Sequence, residues 1–292
     1  MKKITFIINP ISGGKDKQPL IRTIEAGIDR TSFEYRTILT EYPGHATEIA
    51  RTCEADIVVA VGGDGTVSEV AQGAAESGKA FGIIPCGSGD GLALHLGISR
   101  NPGKAVKTLN KGHIETVDYG RVDGRPFFCT TGVGLDAAVA WEFAASGKRG
   151  LANYISQAWR LWQDFRPETY EIDIDGERIV TPAVFVTVGN ANQWGNQARI
   201  TSLASVRDGE LDLAIVEPFR TVEIPLLATK LLDGRAHTSR RVRMFRGKHI
   251  TIHRSAPGPA HSDGDPCEAG TDITVDIVPA ALRVVVPAGR AI

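Results

Sequence analysis

The 292-residue sequence has no excess of either charge, no long apolar run and no paired cysteines, and each absence removes a class of function. Thirty-three Lys and Arg against thirty-four Asp and Glu leave a formal net charge of -1. No global positive field therefore draws the chain onto nucleic acid. No stretch reaches the ~18 uninterrupted apolar residues that a membrane-spanning helix requires, so no transmembrane segment is expected. Cys53, Cys86, Cys129 and Cys267 are widely separated. Without a C-x-x-C pair they read as reduced, cytosolic thiols rather than a zinc knuckle or redox dithiol. The N-terminal Met1-Lys2-Lys3 resembles the charged start of a signal peptide, but the apolar run stops at Asn9 and no small-residue cleavage site follows. A first strand is the better reading, in a cytoplasmic protein that is soluble or peripheral on a membrane. Neither the G-x-x-x-x-G-K-[ST] phosphate loop nor the protein-kinase elements V-A-I-K and H-R-D occur.

What is present is a globular balance: 42% hydrophobic residues, 23% charged residues and 32 glycines. At roughly 150 residues per domain this length predicts about two domains. Up to about residue 112, short β-branched runs alternate with helical stretches, the pattern of a parallel sheet covered by crossover helices. Strands are expected at Ile4 to Ile8, Phe33 to Leu39, Ile57 to Val61 and Phe81 to Ile84, with helices at Gln18 to Asp29 and Ala46 to Glu54. A further helix begins near Thr66, where Thr66 and Glu69 have capping-box spacing, and Gly78 is its expected stop.

From about Glu115 the period changes to alternating runs. Asp-Gly dipeptides at 123–124, 175–176, 208–209 and 263–264 signal hairpins. Helices at Ala137 to Ser146, Asn153 to Phe165 and Ile224 to Leu232 interrupt a mostly β second domain. The boundary is placed between residues 125 and 126, the second domain ends near 280, and the tail at about 281–292 is free to return to the first.

Three turns carry the chemistry. The strand Ile57 to Val61 runs into Gly62-Gly63-Asp64-Gly65-Thr66 and a helix start. Glycines let a ligand approach the backbone, and a helix N-terminus adds partial positive charge, so this junction suits a phosphate. Asp64 would repel a phosphate unless Mg²⁺ lies between them or the carboxylate orders the loop by hydrogen bonds. The segment Pro85-Cys86-Gly87-Ser88-Gly89-Asp90-Gly91 follows the next strand, and Asn9-Pro10-Ile11-Ser12-Gly13-Gly14-Lys15 ends the first. Each alone is ordinary turn chemistry, but glycine-rich turns at the carboxyl ends of neighbouring strands line one crevice, where open α/β sheets bind ligands.

Together Asn9-Pro10 with Ser12-Gly13-Gly14, the Gly62 to Thr66 run with Glu69-Val70, and Pro85 to Ala93 resemble the diacylglycerol kinase catalytic domain and its bacterial lipid-kinase relatives. The G-G-D-G-T element is shared with NAD kinases, whereas the Pro-x-Gly-Ser segment favours lipid kinases. The resemblance implies a Rossmann-like α/β domain over 1–125 and a β-sandwich lipid-substrate domain over 126–280. It implies ATP held by Asn9, Pro10, Ser12, Gly13, Thr40, Gly62, Gly63, Asp64, Gly65, Thr66, Ser68 and Ser88. It places a structural Mg²⁺ on Ser205, Asp208 and Glu210, Asp208 giving its side chain and the other two their backbone carbonyls, with a plain Asp-Gly hairpin as the competing reading.

A hydroxyl nucleophile must lose its proton as the phosphoryl group arrives, so a nearby carboxylate is the expected base. The family's late D-G-E element here reads Asp263-Gly264-Asp265. Asp265 is therefore the first candidate, with Asp263 and Glu268 as alternatives. Ser68 and Asp90 stand where relatives often carry Asn.

The cation-rich stretch from Arg235 to Lys248, with Met244 and Phe245, suggests contact with anionic headgroups or simply a solvated strand. Trp159, Trp162 and Phe165 share a helical face that reads as core more readily than as membrane anchor. His95 reads as a hydrogen-bonded core or helix-end residue. The implied activity is ATP- and Mg²⁺-dependent phosphorylation of diacylglycerol or a similar lipid presented at a membrane surface. An NAD or sphingoid-base kinase, or a nucleotide-binding module without turnover, are the alternatives, and a homodimer is left open.

Overall fold

The computed structural model describes residues 1–14, 16–147 and 151–289. Lys15 and residues 290–292, named above in the first turn and the tail, lie outside them. Two compact units divide the chain at Asp118/Tyr119 and again at Pro279/Ala280.

The first unit alternates strand and helix: β1 (Lys2–Ile8), α1 (Gln18–Gly27), β2 (Phe33–Leu39), α2 (His45–Thr52), β3 (Ile57–Gly62), α3 (Asp64–Ser77), β4 (Ala80–Pro85), the short α4 (Gly91–His95) and α5 (Pro102–Lys111). The strands pair in parallel in the order β2-β1-β3-β4. Ile57–Val61 is buried on both faces, as a central strand between helical layers requires. Phe6, Val59, Phe81 and Leu109 are among the side chains that fill this core.

α5 was not anticipated, although its start is written in the sequence. Asn101 caps it by accepting from the Lys104 N–H at 3.0 Å, and Pro102 occupies the first turn, where a missing N–H costs nothing.

The start of α3 departs from expectation. The helix begins at Asp64 after an extended Gly63, two residues before Thr66, and no side chain caps it. Thr66 is inside the helix and its Oγ1 accepts from Asn9 Nδ2 at 3.1 Å. Glu69 reaches away to the N-terminus of α2, accepting from the N–H groups of Gly44 (3.0 Å) and Ala46 (3.1 Å). The expected capping box is thus replaced by a carboxylate from one helix capping its neighbour. Gly78 does end α3, in the left-handed conformation at φ 68°.

β5 (His113–Val122) leads into the second unit: β6 (Arg125–Phe127), β7 (Thr130–Gly134), α6 (Leu135–Ala145), α7 (Leu151–Asp164), β8 (Glu168–Ile174), β9 (Glu177–Ala183), β10 (Phe185–Gly189), β11 (Leu211–Val216), α8 (Ile224–Leu232), β12 (Val242–Gly247), β13 (His249–His253), β14 (Gly258–Ser262), β15 (Asp265–Ala269) and β16 (Asp272–Val286). One antiparallel sheet runs β12-β11-β10-β7-β14-β15, and β16, β13, β8 and β9 form a second antiparallel run. Val133, Val186, Leu213 and Ala260 from the first pack with Ile172, Ile250 and Ile273 from the second, so the unit is a β sandwich.

Asp123-Gly124, Asp175-Gly176 and Asp263-Gly264 each close a two-residue hairpin with both residues at positive φ. Asp208-Gly209 does not: only Gly209 has positive φ, and the pair sits in the loop before β11. The last strand divides, with Asp272–Asp276 antiparallel to β13 and, beyond Ala280, Arg283 and Val284 parallel to β4.

Glu69→Ala is expected to cost about 1–2 kcal/mol in urea unfolding. Hydrogen exchange should speed at the Gly44 and Ala46 amides rather than at the start of α3; unchanged exchange at those two amides would contradict the assignment.

Candidate functional site

The first unit brings its three glycine-bearing turns together at the carboxyl ends of β1, β3 and β4. Asn9 donates its backbone N–H to Val61 O (3.2 Å), and Thr40, just beyond β2, donates its own to Ile8 O (2.9 Å). Asn9 Oδ1 also accepts from the Ile11 N–H at 3.1 Å, closing the first turn. Gly13, at φ 66°, touches the third loop so closely that a Cβ there would collide with Cys86 O. A Cβ on Gly87 would lie 2.6 Å from Gly63 Cα, so these two loops pass backbone against backbone. Only glycine permits that approach, which explains the composition of both turns.

Asp64 resolves its own oddity. Its carboxylate accepts from the N–H of Asp90 (2.9 Å) and of Gly91 (2.7 Å), tying the second loop to the third. Of the two roles open to this residue in the sequence, loop ordering is the one the geometry displays. The first N–H groups of α3 consequently have no side-chain cap, and Val67 N is the first to find a helical acceptor, Gly63 O at 3.0 Å.

Asp90 takes the left-handed conformation (φ 52°) that Asn and Asp tolerate best among residues with a Cβ. It is buried and accepts from the Gly87 N–H at 2.9 Å. Burial raises its pKa, the nearby Asp64 raises it further, and the Gly87 bond and Arg100 oppose both.

Arg100 is a residue that sequence reasoning missed. It lies 3.1 Å from Asp90 and donates to the carbonyls of Ser88 (3.2 Å) and Gly89 (2.6 Å). Lys17, also missed, is buried and bonds Ser12 O, with Cys86 Sγ at 3.6 Å. Neither had a local motif to announce it. Ser68 stands in the second turn of α3, and Ser88 is exposed in the third loop. His95 ends α4, half-buried.

In the second unit the hairpin β14–β15 carries the late acidic motif. Asp263 accepts from the backbone N–H groups of Phe128 (2.9 Å to the nearer oxygen), Cys129 (2.7 Å) and Thr130 (3.2 Å). Its lone pairs therefore hold the turn. Asp265 opens β15 opposite Ser262 and is exposed. Glu268, three positions along the same strand, projects from its other face.

Behind the hairpin, His261 Nε2 and Asp136 Oδ2 are 3.1 Å apart in a buried pair, and Thr187 Oγ1 donates to the same oxygen at 2.8 Å. Arg254, buried, donates to the carbonyls of Pro259 (3.0 Å), Gly258 (2.6 Å), Gly270 (3.0 Å) and Ala269 (2.7 Å) at the hairpin's base.

Ser205, Asp208 and Glu210 lie in the loop leading to β11. Ser205 Oγ accepts from Arg207 N (3.3 Å), and Asp208 Oδ1 accepts from Glu210 N (3.3 Å). Arg246 stands 3.6 Å from Asp208 Oδ2, 4.0 Å from Glu210 and 3.4 Å from Asp212. Among the described residues no group of three His, Cys, Asp or Glu side chains converges as metal ligands.

The cation-rich stretch around β12 is likewise compensated: Arg241 bonds Glu223 at 2.9 Å and Arg243 lies 3.7 Å from Glu217. Trp162 stacks on Phe219 at 4.6 Å. With Trp159, Phe165 and Arg166 these rings line a cavity of about 410 Å³. The stripe is therefore core only in part, since Trp159 remains half-exposed.

Burial pushes the Asp212 carboxyl up to about 6, against the opposing pull of Arg246. A raised carboxyl pKa means the folded state holds the proton longer. The stability it contributes is full below the ordinary value of 3.8 and is lost as pH rises through about 6. Asp212→Asn removes that loss, so its stability relative to wild type should grow by about 2 kcal/mol between pH 4.5 and pH 8 in urea unfolding. A difference independent of pH would refute this origin.

The geometry has counterparts in known proteins. Residues 3–122 match the model of the diacylglycerol kinase catalytic domain, and residues 129–286 match that of the YegS C-terminal NAD kinase beta sandwich-like domain. A diacylglycerol kinase of Bacillus subtilis (strain 168) is 26% identical over 273 residues, 91% of this chain and 90% of that protein. The crystal structure of a diacylglycerol kinase from Bacillus anthracis str. Sterne superposes with a TM-score of 0.76 at 21% identity, over 99% of this chain and 98% of that one. An NAD kinase from Archaeoglobus fulgidus, solved in complex with ATP, superposes at 0.55 with 13% identity, over 98% and 94% of the two chains. The two models between them match both units, and the chain belongs to the family that carries the diacylglycerol kinase catalytic domain followed by the YegS C-terminal NAD kinase beta sandwich-like domain.

Proposed function

We propose that this protein is an ATP-dependent lipid kinase that phosphorylates the hydroxyl of diacylglycerol or a lipid like it. The observation that carries the reading is the meeting of three glycine-bounded turns at the uncapped N-terminus of α3. Main-chain N–H groups and the helix dipole there favour phosphate oxygens. Such a surface is built from backbone, and the Asp64 bonds to the Asp90 and Gly91 N–H groups tie two of its loops together. The ATP in the Archaeoglobus fulgidus NAD kinase supports the choice of nucleotide.

Asn9, Pro10, Ser12 and Gly13 of the first turn, Thr40, the run Gly62 to Thr66, Ser68 and Ser88 are the residues we assign to holding it. Asp64 acts in this scheme by joining two loops rather than by touching phosphate. When bound, ATP supplies the transferable γ-phosphoryl group, with Mg²⁺ as its counter-ion.

Asp265 is our choice of proton acceptor. Asp263 is engaged by three backbone N–H groups, and Glu268 is on the opposite face of β15. As the lipid oxygen bonds to phosphorus and the bond to the leaving oxygen breaks, the hydroxyl proton passes to the Asp265 carboxylate. The names of the relatives and the aromatic cavity beside α7 support a lipid substrate; its Trp and Phe rings suit an acyl chain.

A radiolabelled-phosphate assay over diacylglycerol, phosphatidylglycerol, sphingosine and NAD tests the reading: transfer to a glycerolipid is expected, and transfer to NAD alone would overturn it. Tight ATP binding with no transfer would instead identify a module without turnover. Asp265→Asn should lower kcat by about 10²–10⁴-fold while ATP affinity holds. Gly87→Ala, which forces two backbones apart, should weaken ATP binding at least ~10-fold.

A further inference from the structure

We infer that Lys17 is a phosphate-binding residue of the nucleotide site, its buried ammonium supplying positive charge to the phosphates that enter there. The inference rests on the nucleotide reading above and adds a residue to it. Lys17 is 8% exposed. Its ammonium donates to Ser12 O of the first turn and lies 3.6 Å from Cys86 Sγ of the third, and a Cβ on Gly13 would stand 3.8 Å from Nζ. The charge is therefore enclosed where those two turns touch, beyond the carboxyl ends of β1 and β4.

No described group offsets this burial. Among the described residues Lys17 forms no ion pair, and the acids of the region are engaged elsewhere. Asp16 Oδ1 accepts from the Gln18 N–H (3.0 Å), Asp64 from the N–H groups of Asp90 and Gly91, and Asp90 from the Gly87 N–H, with Arg100 3.1 Å away. Cys86 is no substitute, because burial pushes its thiol up against the pull of Lys17 and leaves the sulfur neutral. Lys17 also stands at the N-cap of α1, the end of a helix dipole that disfavours a cation. A buried ammonium without a counter-charge is strongly disfavoured, so an anion brought by a ligand is the compensation this position calls for. Of the three ammonium hydrogens Ser12 O takes one and the thiol is a weak acceptor, which leaves donor capacity for a phosphate oxygen. Such a charge-assisted bond strengthens binding of the phosphates and leaves binding of the base and ribose unchanged.

The test measures binding of adenosine, ATP and inorganic tripolyphosphate to the full chain, with no lipid present, so it is separate from phosphoryl transfer. Wild-type protein should bind ATP and tripolyphosphate and melt higher with either. Lys17→Met and Lys17→Gln should bind ATP about 10- to 100-fold more weakly while holding adenosine as the wild type does, and tripolyphosphate should no longer raise their melting temperature. A clasp between two turns and nothing more would weaken adenosine and ATP alike; that pattern, or ATP held undiminished by either variant, overturns the inference. Lys17→Gln keeps a donor for Ser12 O and carries the comparison if Lys17→Met does not fold. Should the wild type bind ATP and phosphorylate no lipid, the lipid-kinase reading falls while the comparison of variants still upholds or overturns Lys17. Should it bind neither ATP nor tripolyphosphate, both fall.

Discussion

The Asp64 carboxylate, accepting the N–H groups of Asp90 and Gly91, is the bond on which the phosphate-suited surface of the first unit depends. It joins the turn after β3 to the turn after β4, and the glycines at 63 and 87 then let the two backbones touch. A carboxylate with both oxygens on main-chain donors is a strong, directional fastener, roughly twice a neutral hydrogen bond. That acid stands in the first turn of α3 itself, but its two oxygens are committed to the next loop, and the first N–H groups of the helix are left without a side-chain cap. Arg100 finishes the arrangement by holding the carbonyls of Ser88 and Gly89 and the carboxylate of Asp90. The result is a surface of main-chain N–H groups held in shape by side chains that lie behind it.

The two units solve the same problem differently. In the first, parallel strands end at one edge and the loops there are pinned by acids and glycines. In the second, a single hairpin is pinned along its length: Arg254 at the base, the His261 and Asp136 pair along β14, and Asp263 at the tip. Arg254 has four carbonyls for partners, which satisfies a buried guanidinium by hydrogen bonds where a carboxylate is absent. Buried polar groups on this scale are costly unless fully bonded, so their concentration around one hairpin marks a place where position matters more than stability.

The parts legible in the sequence were those fixed by short-range rules. Apolar runs placed all four parallel strands, and three of the four Asp-Gly dipeptides made the hairpins their φ preferences favour. The glycine turns could be read because close backbone approach excludes a Cβ. What could not be read were partnerships decided by tertiary structure. Thr66 and Glu69 have the spacing of a capping box, yet α3 starts two residues earlier, at Asp64, and Glu69 finds the N–H groups at the start of α2 instead. Asp208-Gly209 has the hairpin dipeptide, but among the described residues no strand leads into it to pair with β11. Arg100 and Arg246 look like ordinary surface cations until the fold brings carbonyls and carboxylates to them.

The Asp at position 265, where the family resemblance implies Glu, can be read in the same terms. A Glu side chain reaches further but has one more rotatable bond, so more rotamer freedom must be lost each time its carboxylate is placed. Aspartate gives up that reach, and its position is then set almost entirely by the backbone beneath it. The turn before it has both residues at positive φ, Asp263 at 50° and Gly264 at 86°, and the Asp263 carboxylate is fixed by the N–H groups of Phe128 to Thr130. A short acid on a loose loop would be a poor proton acceptor. On a hairpin tied at base, middle and tip, the backbone supplies the definition that the missing methylene cannot, and this supports the proposal that Asp265 takes the proton.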